Sequence, residues 1–258
     1  MDCKISVIIP TMQRSHLLKW NLYSLSKQII PWDFETIVLN DGIQDETENI
    51  CEKHREQLNL KYVFTGQRNL PDNIVWRVPG FAFNIGVKMS QGDILILCDA
   101  EMYHLNDTIA KLVAPLIDNP KLLGIPVGYN DANSTFLNSL EEHNGNHNID
   151  LNELENGYPK IDSSLPYLMS ISKNEFLAIG GYDEDFTGVA ADDDDLVRRL
   201  RANGCIHHQT DAQTIHLYHP RIYSGGGEGR WDFNLKLFRS RMGRIVRNEG
   251  REWGKFEG

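Results

Sequence analysis

Two carboxylates, Asp99 and Glu101, flank Ala100 directly after the apolar run Ile94-Leu95-Ile96-Leu97-Cys98. Acids at the exposed end of a buried strand offer hard oxygen ligands of the kind that hold Mg²⁺ or Mn²⁺. The same spacing also describes a solvated turn, so the pattern needs company before it means a metal site. His216 and His219, on or just after a later strand and next to Pro220, can add two nitrogen ligands, although such pairs are also often structural. A second acidic group, Asp192-Asp193-Asp194-Asp195, opens a helix. Acids there suit the positive end of the helix dipole. Four adjacent carboxylates nevertheless repel, and a partly buried one would hold its proton more tightly, as a general base working near neutral pH does. Ser224-Gly225-Gly226-Gly227-Glu228-Gly229 is either a closing lid or an ordinary flexible loop, since glycine permits wide backbone swings.

The elements that must position these groups alternate. Ile5–Ile9 reads as a buried strand stopped by Pro10, and Ser15 as the cap of a helix to about Gln28 with Leu17, Leu18, Leu22 and Leu25 on one face. Strand Phe34–Leu39, helix Thr47 to about Leu58, strand Lys61–Phe64, helix Gly80–Met89 and strand Asp93–Cys98 follow. This alternation implies a parallel sheet with helices on both faces, whose ligands bind beyond the carboxyl ends of the strands. After a strand at Leu122–Val127, residues 130–160 are polar and asparagine-rich, a long surface excursion with a short helix near Ser139. Strand Leu165–Ser172, helix Asn174–Ile179, a helix from Asp192 to Ala202 stopped at Asn203-Gly204, strand Thr214–His219 and a basic helix Phe233–Arg247 complete the chain. No repeat or linker divides it, so one domain is expected over residues 1–258, with halves at 1–129 and 130–232 and a basic end at 233–258.

Composition excludes several classes. Hydrophobic residues at 41% and charged residues at 24% are near globular averages, which rules out wholesale disorder. No apolar run approaches a membrane span, and the start of the chain lacks a signal-peptide pattern. Four scattered cysteines fit a reducing, cytoplasmic setting. A formal net charge of −10 disfavours nucleic acid. The basic end, with Arg239, Arg241, Arg244, Arg247 and Arg251, is where an anionic partner such as a lipid surface would be met, unless that helix simply packs its apolar side on the domain.

Taken in order, these segments resemble the inverting GT-A glycosyltransferases, in particular family 2 and the β-1,4-galactosyltransferase-like enzymes. Ile8 to Leu18 looks like that group's first strand and nucleotide-contacting turn. Val38-Leu39-Asn40-Asp41-Gly42 resembles the V-V-D-D-G segment, whose aspartate recognises uracil. Phe83-Asn84-Ile85-Gly86, Gly92-Asp93 and Leu97-Cys98-Asp99-Ala100-Glu101 resemble the R-N-x-G, G-D and L-D-A-D block. Gly180-Gly181-Tyr182-Asp183-Glu184, Phe186, Asp192 to Leu196 and Arg199-Leu200 resemble G-G-x-D-E-x-F, E-D-x-D-L and R-L. Glu101 replaces an aspartate, Asp192 a glutamate and Phe83 an arginine, and Val189 stands in the region of an acceptor-stacking tryptophan.

The resemblance implies a mixed, mainly parallel GT-A sheet flanked by helices, and a metal-dependent inverting transfer from a UDP-sugar to a hydroxyl of a glycan or glycoconjugate. It assigns nucleotide-sugar contacts to Pro10, Thr11, Arg14, Asp41, Asn84, Asp99 and Ala100, with Arg77 standing in for the missing arginine. Asp99, Glu101, His216 and His219 would hold Mn²⁺ or Mg²⁺, and Asp193 would be the base. Asp192 would hold acceptor hydroxyls, and Ser224–Trp231 would close the site. Read from residue type and position alone, Asp195 can cap or brace the helix start, and Trp231 either stacks on a sugar face or packs against the terminal helix. Two other readings share the motifs: a retaining transferase of the polypeptide N-acetylgalactosaminyl type, and a catalytically silent sugar-nucleotide or glycan-binding domain.

Overall fold

The computed structural model describes residues 4–66, 78–145, 151–162, 164–220 and 230–255. Its strands are β1 (Lys4–Thr11), β2 (Asp33–Asn40), β3 (Leu60–Phe64), β4 (Ile94–Cys98), β5 (Met102–His104), β6 (Leu122–Asn130), β7 (Leu168–Ser172) and β8 (Ile206–His216). Its helices are α1 (Ser15–Leu25), α2 (Thr47–His54), α3 (Gly80–Met89), α4 (Thr108–Asp118), α5 (Thr135–Glu142), α6 (Leu151–Gly157), α7 (Lys173–Ala178), α8 (Asp192–Ala202) and α9 (Trp231–Ser240).

The strands form one eight-stranded sheet in the order β3-β2-β1-β4-β7-β6-β8-β5. The β3-β2-β1-β4 half is parallel. β7 runs antiparallel to β4 and β6, β8 parallel to β6, and β5 antiparallel to β8, so the sheet is mixed. Strands from both expected halves of the chain share it, and β6 crosses the boundary at residue 129. Side chains alternate between two cores, as a period of two requires. Ile8, Leu95 and Leu97 pack with α3, α7 and α8. Ile5, Val7, Ile9, Ile94 and Ile96 pack with α1 and α4.

Several expectations need correction. Pro10 does not stop β1. The Thr11 carbonyl accepts from the Asp41 N–H at 2.8 Å, so Pro10 turns its peptide the other way, toward β4. There the last residue pair is Ile8 with Leu97, and no ladder donor is missed. Ser15 is the first helical residue rather than the cap; Arg14 takes the cap position, with no side-chain capping bond. α1 and α2 end earlier than their patterns suggest, at Leu25 and His54, and β8 begins much earlier, at Ile206.

Residues 130–160 are not a bare excursion. α5 and α6 place Phe136, Leu140 and Leu154 in a third core with Leu17, Trp20 and Tyr129. Asp131 organises the entry to α5 by accepting the N–H groups of Phe136 (3.1 Å) and Leu137 (2.9 Å). The basic C-terminal helix runs from Trp231 to Ser240, stopping short of the expected Arg247. Its arginines are largely spoken for: Arg241 pairs with Asp183 and Asp185, Arg247 with Asp183 and Asp195, and Arg251 with Asp185. No helix among the described residues is long and apolar enough to cross a membrane.

Candidate active site

The carboxyl ends of β1, β2 and β4 open on a cleft of about 200 Å³ lined by Pro10, Thr11, Arg14, Asp41, Asp99 and Glu101, with Gly188 and Val189 opposite. This is where a parallel sheet leaves room for a ligand.

β4 delivers the acids. The Asp99 N–H is fixed on the Tyr167 carbonyl (2.8 Å), while its own carbonyl accepts from Asn21 Nδ2 (3.0 Å) and the Met102 N–H (3.2 Å). The chain then enters β5, which pairs Met102 with His216 on β8. That short pairing brings Glu101 to the two histidines. Glu101 is buried, and its Oε1 lies 3.6 Å from His216 Nε2 and 3.3 Å from His219 Nε2. The three residues can each offer one ligand atom, all within 4.8 Å of one another. One carboxylate oxygen with two imidazole nitrogens is a plausible donor set for a borderline or hard divalent cation. Asp99 lies outside this group and lines the cleft instead.

The Arg14 guanidinium donates to Glu101 Oε1. Burial alone would raise the Glu101 carboxyl, but Arg14 and hydrogen bonds with His216 and His219 hold it well below the usual carboxylate range. It therefore stays ionised, as a ligand must. Asp99 is driven the opposite way, well above its ordinary value, by burial and then by Glu101 and Asp193, with Arg14 opposing.

Asp193 stands on the first turn of α8. Its pKa is pushed up to about 6, mainly by burial; a hydrogen bond from Tyr182 opposes the shift and Asp194 adds to it. Tyr182 Oη donates to Asp193 Oδ1 at 2.9 Å. Asp192 is buried, with its carboxyl raised well above the usual range by burial and by Asp193, and its Oδ2 has no hydrogen-bond partner among the described residues. The loop before α8 is held in left-handed backbone at Gly188 (φ +84°), Ala190 (+82°) and Ala191 (+70°). For alanine such conformations cost about 1–2 kcal/mol each, the sort of strain that collects at functional sites.

Asp41, the residue after β2, lines the cleft, and Thr65 Oγ1 donates to its Oδ1. Thr11 Oγ1 is buried there without a partner among the described residues. Other expected site residues fall elsewhere. Ala100 is a core residue. Asn84 is fully buried: its amide donates to the Tyr182 carbonyl (2.9 Å) and Glu184 (3.0 Å), and its Oδ1 accepts the Tyr182 N–H (2.8 Å). It clamps a turn rather than facing the cleft. Trp231 is half exposed at the start of α9. Arg77 and the Ser224–Gly229 loop lie outside the described residues.

Asp195 does more than brace its helix. Fully buried, it accepts from Arg199 Nε (2.6 Å) and Arg247 Nη2 (2.8 Å), and Arg199 also donates to the carbonyls of Ile179 and Gly181. The Asp195–Arg199 spacing of four is legible as a helical pair. The contribution of Arg247 has no local signal.

Fold and site together give a mixed α/β sheet with acids just after its central strands and an acidic helix start near them. The family description "Glycosyl transferase family 2" matches residues 6–174, and "N-terminal domain of galactosyltransferase" matches residues 149–221. The chain belongs to glycosyl transferase family 2 and is a glycosyltransferase domain of the GT-A kind. It is 30% identical over 226 residues to validoxylamine A glucosyltransferase of Streptomyces hygroscopicus subsp. limoneus, an alignment covering 78% of this chain and 48% of that protein. The chain thus spans about half the length of this curated relative. In fold it is similar to GalNAc-T7 solved with UDP, GalNAc and Mn²⁺ (TM-score 0.63, 16% identity, 93% of this chain and 47% of that one). It is also similar to the mannosyltransferase PcManGT of Pyrobaculum calidifontis in complex with GDP-Man and Mn²⁺ (TM-score 0.57, 20% identity, 86% and 59%).

Proposed function

We propose that this domain is a metal-dependent inverting glycosyltransferase that moves a sugar from a UDP-sugar to a hydroxyl of a glycan or glycoconjugate. The observation that carries the reading is a pair of acids of opposite character, one lining the cleft and the other close to the cleft residue Asp99. Glu101 is held ionised beside His216 and His219, and Asp193 has its pKa near 6 and lies close enough to Asp99 to raise that group.

Glu101, His216 and His219 would hold Mn²⁺ or Mg²⁺, with Asp99 beside them. When bound, such an ion supplies Lewis-acid neutralisation of the charge growing on the departing diphosphate. The chain's own residues do the rest. Asp41 accepts the uracil N3–H, with Thr65 fixing its carboxylate. Pro10 and Thr11 line the nucleoside, and Arg14 brings a positive charge to the diphosphate end. Asp193 takes the proton from the attacking hydroxyl on the face opposite the leaving group, and Asp192, with an oxygen to spare, holds a neighbouring acceptor hydroxyl. Trp231, half exposed at the start of α9, would stack on a sugar face.

The test is a thermal-shift panel of UDP-glucose, UDP-galactose, UDP-N-acetylglucosamine and GDP-mannose with Mn²⁺, followed by UDP-release assays with and without EDTA. Preferential stabilisation by a UDP-sugar and loss of turnover in EDTA support the reading. Metal-independent turnover would overturn its metal part, and binding without turnover its catalytic part. An NMR assignment of a product with the donor's anomeric configuration would replace inversion by the retaining mechanism.

A further inference from the structure

Tyr182 is a tyrosine where the packing alone would accept phenylalanine. It is 1% exposed, its ring stacks on Phe83 (centroids 5.6 Å apart, planes at 11°), and Phe176 tilts against it at 6.1 Å. A phenol in such a place needs a partner for its O–H, and Asp193 Oδ1 is that partner at 2.9 Å.

The surroundings fix the ring from every side. Asn84 clamps the Tyr182 peptide at both its N–H and its carbonyl, and Asn248 Nδ2 donates to the same carbonyl at 2.7 Å. α3 begins with Gly80 against the ring: a Cβ there would stand 2.4 Å from Tyr182 Cδ1, so a larger residue could not share the space. Gly181, just before, sits at φ +66° with its carbonyl held by Arg199. Two asparagines, two glycines and an arginine are therefore spent on placing one hydroxyl.

We propose that Tyr182 is a positioning residue for the transfer step, holding one oxygen of Asp193 so that the other faces the acceptor hydroxyl. The inference rests on the reading of Asp193 as the base. Burial, and after it Asp193, keep the Tyr182 hydroxyl from ionising, so it remains a donor throughout the working range. Around Asp193 the facing groups are Asp192 and Asp194 on its own helix, Asp99 from the end of β4, and Tyr182 from the preceding turn. Tyr182 is the donor among them, and the other three are acids that favour a protonated Asp193. Its removal frees the carboxylate to rotate and makes it harder to ionise.

The experiment compares Tyr182→Phe, Asp193→Asn and wild type for UDP release from UDP-glucose, UDP-galactose and UDP-N-acetylglucosamine with Mn²⁺. UDP binding by calorimetry and melting temperature are measured alongside. Phenylalanine keeps the ring contacts, so UDP affinity and KM should stay within about twofold while kcat falls by about tenfold or more, as for loss of a hydrogen bond to a charged group. The acidic limb of the kcat–pH profile should also move to higher pH. A merely structural role would lower the melting temperature and leave that limb in place. If Asp193→Asn is inactive but Tyr182→Phe keeps wild-type kcat and pH profile, the positioning role is refuted and the base assignment survives. If Asp193→Asn retains activity, the base assignment fails and this inference fails with it.

Discussion

Replacing Asp193 by asparagine keeps the volume of the side chain and its ability to accept from Tyr182, but removes the ability to take a proton. The magnitude follows from where the carboxylate sits. With a pKa of about 6 it is roughly nine-tenths ionised at pH 7 and about one-tenth at pH 5. A base must be ionised to act, so wild-type transfer should be flat above about pH 7 and fall nearly tenfold for each unit below about 6. The sign follows from the upward shift, caused first by burial: a raised carboxyl is lost as a base when pH falls through 6, well above the ordinary aspartate range. Asp193→Asn should cut transfer by about 10²–10⁴ and abolish this limb, leaving UDP affinity within a few fold. The assay is UDP release from the preferred UDP-sugar across pH 5–8, with calorimetry for UDP. A variant keeping more than a tenth of wild-type turnover, or a wild-type profile without a limb near pH 6, would refute the reasoning.

Glu101→Ala or His219→Ala should weaken the Mn²⁺ dependence of UDP binding; equal UDP affinity with and without metal in wild type, by calorimetry, would remove the metal assignment. Asp41→Ala should lower UDP affinity by about 1.5–3 kcal/mol, the worth of a hydrogen bond to a charged group, and narrow the preference for UDP over GDP. An unchanged UDP/GDP ratio would count against uracil recognition. Asp195→Ala removes the shared partner of two buried arginines, Arg199 and Arg247. Breaking such a pair costs about 3–5 kcal/mol, which for a chain of this size lowers the melting temperature by roughly 10 °C. A drop of under two degrees by calorimetry would mean that water reaches the pair.

Much of the first half of the chain was legible because its signals are local. Ile5 to Ile9 and Ile94 to Cys98 are short apolar runs ending in polar residues, and Leu17, Leu18, Leu22 and Leu25 repeat at helical spacing. β5 and α4 were not legible. Three residues cannot display a period, and α4 contains Pro115, which ordinarily argues against a helix interior. The same limit applies to the site. Asp99, Glu101, Asp193, His216 and His219 each stand out by residue type, yet nothing in the chain says that Glu101 meets the histidines. That meeting depends on Met102 pairing with His216 across β5 and β8. Asn84 shows the converse: its motif suggested a ligand contact, while its place one turn into α3 gives it both ends of the Tyr182 peptide to bind.

The C-terminal arginines are where sequence and structure part furthest, and the difference bears on mechanism. As a linear run they look like a patch offered to an anionic surface. Folded, Arg241, Arg247 and Arg251 turn toward Asp183, Asp185 and Asp195, while Asn248 donates to the carbonyls of Gly180 and Tyr182. Gly180 permits this approach: a Cβ there would lie 2.1 Å from the Arg247 carbonyl oxygen, and the residue sits at φ +74°. The last described stretch therefore closes over the Gly180–Asp185 turn from outside as Asn84 and Gly80 support it from within. Asp195 joins the two, because the helix it belongs to also carries Asp193. A net charge of −10 makes that coupling useful. Four successive aspartates at a helix start repel one another, and pairing Asp195 with two buried guanidiniums keeps it from adding to that repulsion, while burial and the repulsion that remains make Asp192 and Asp193 hold their protons more tightly than ordinary aspartates.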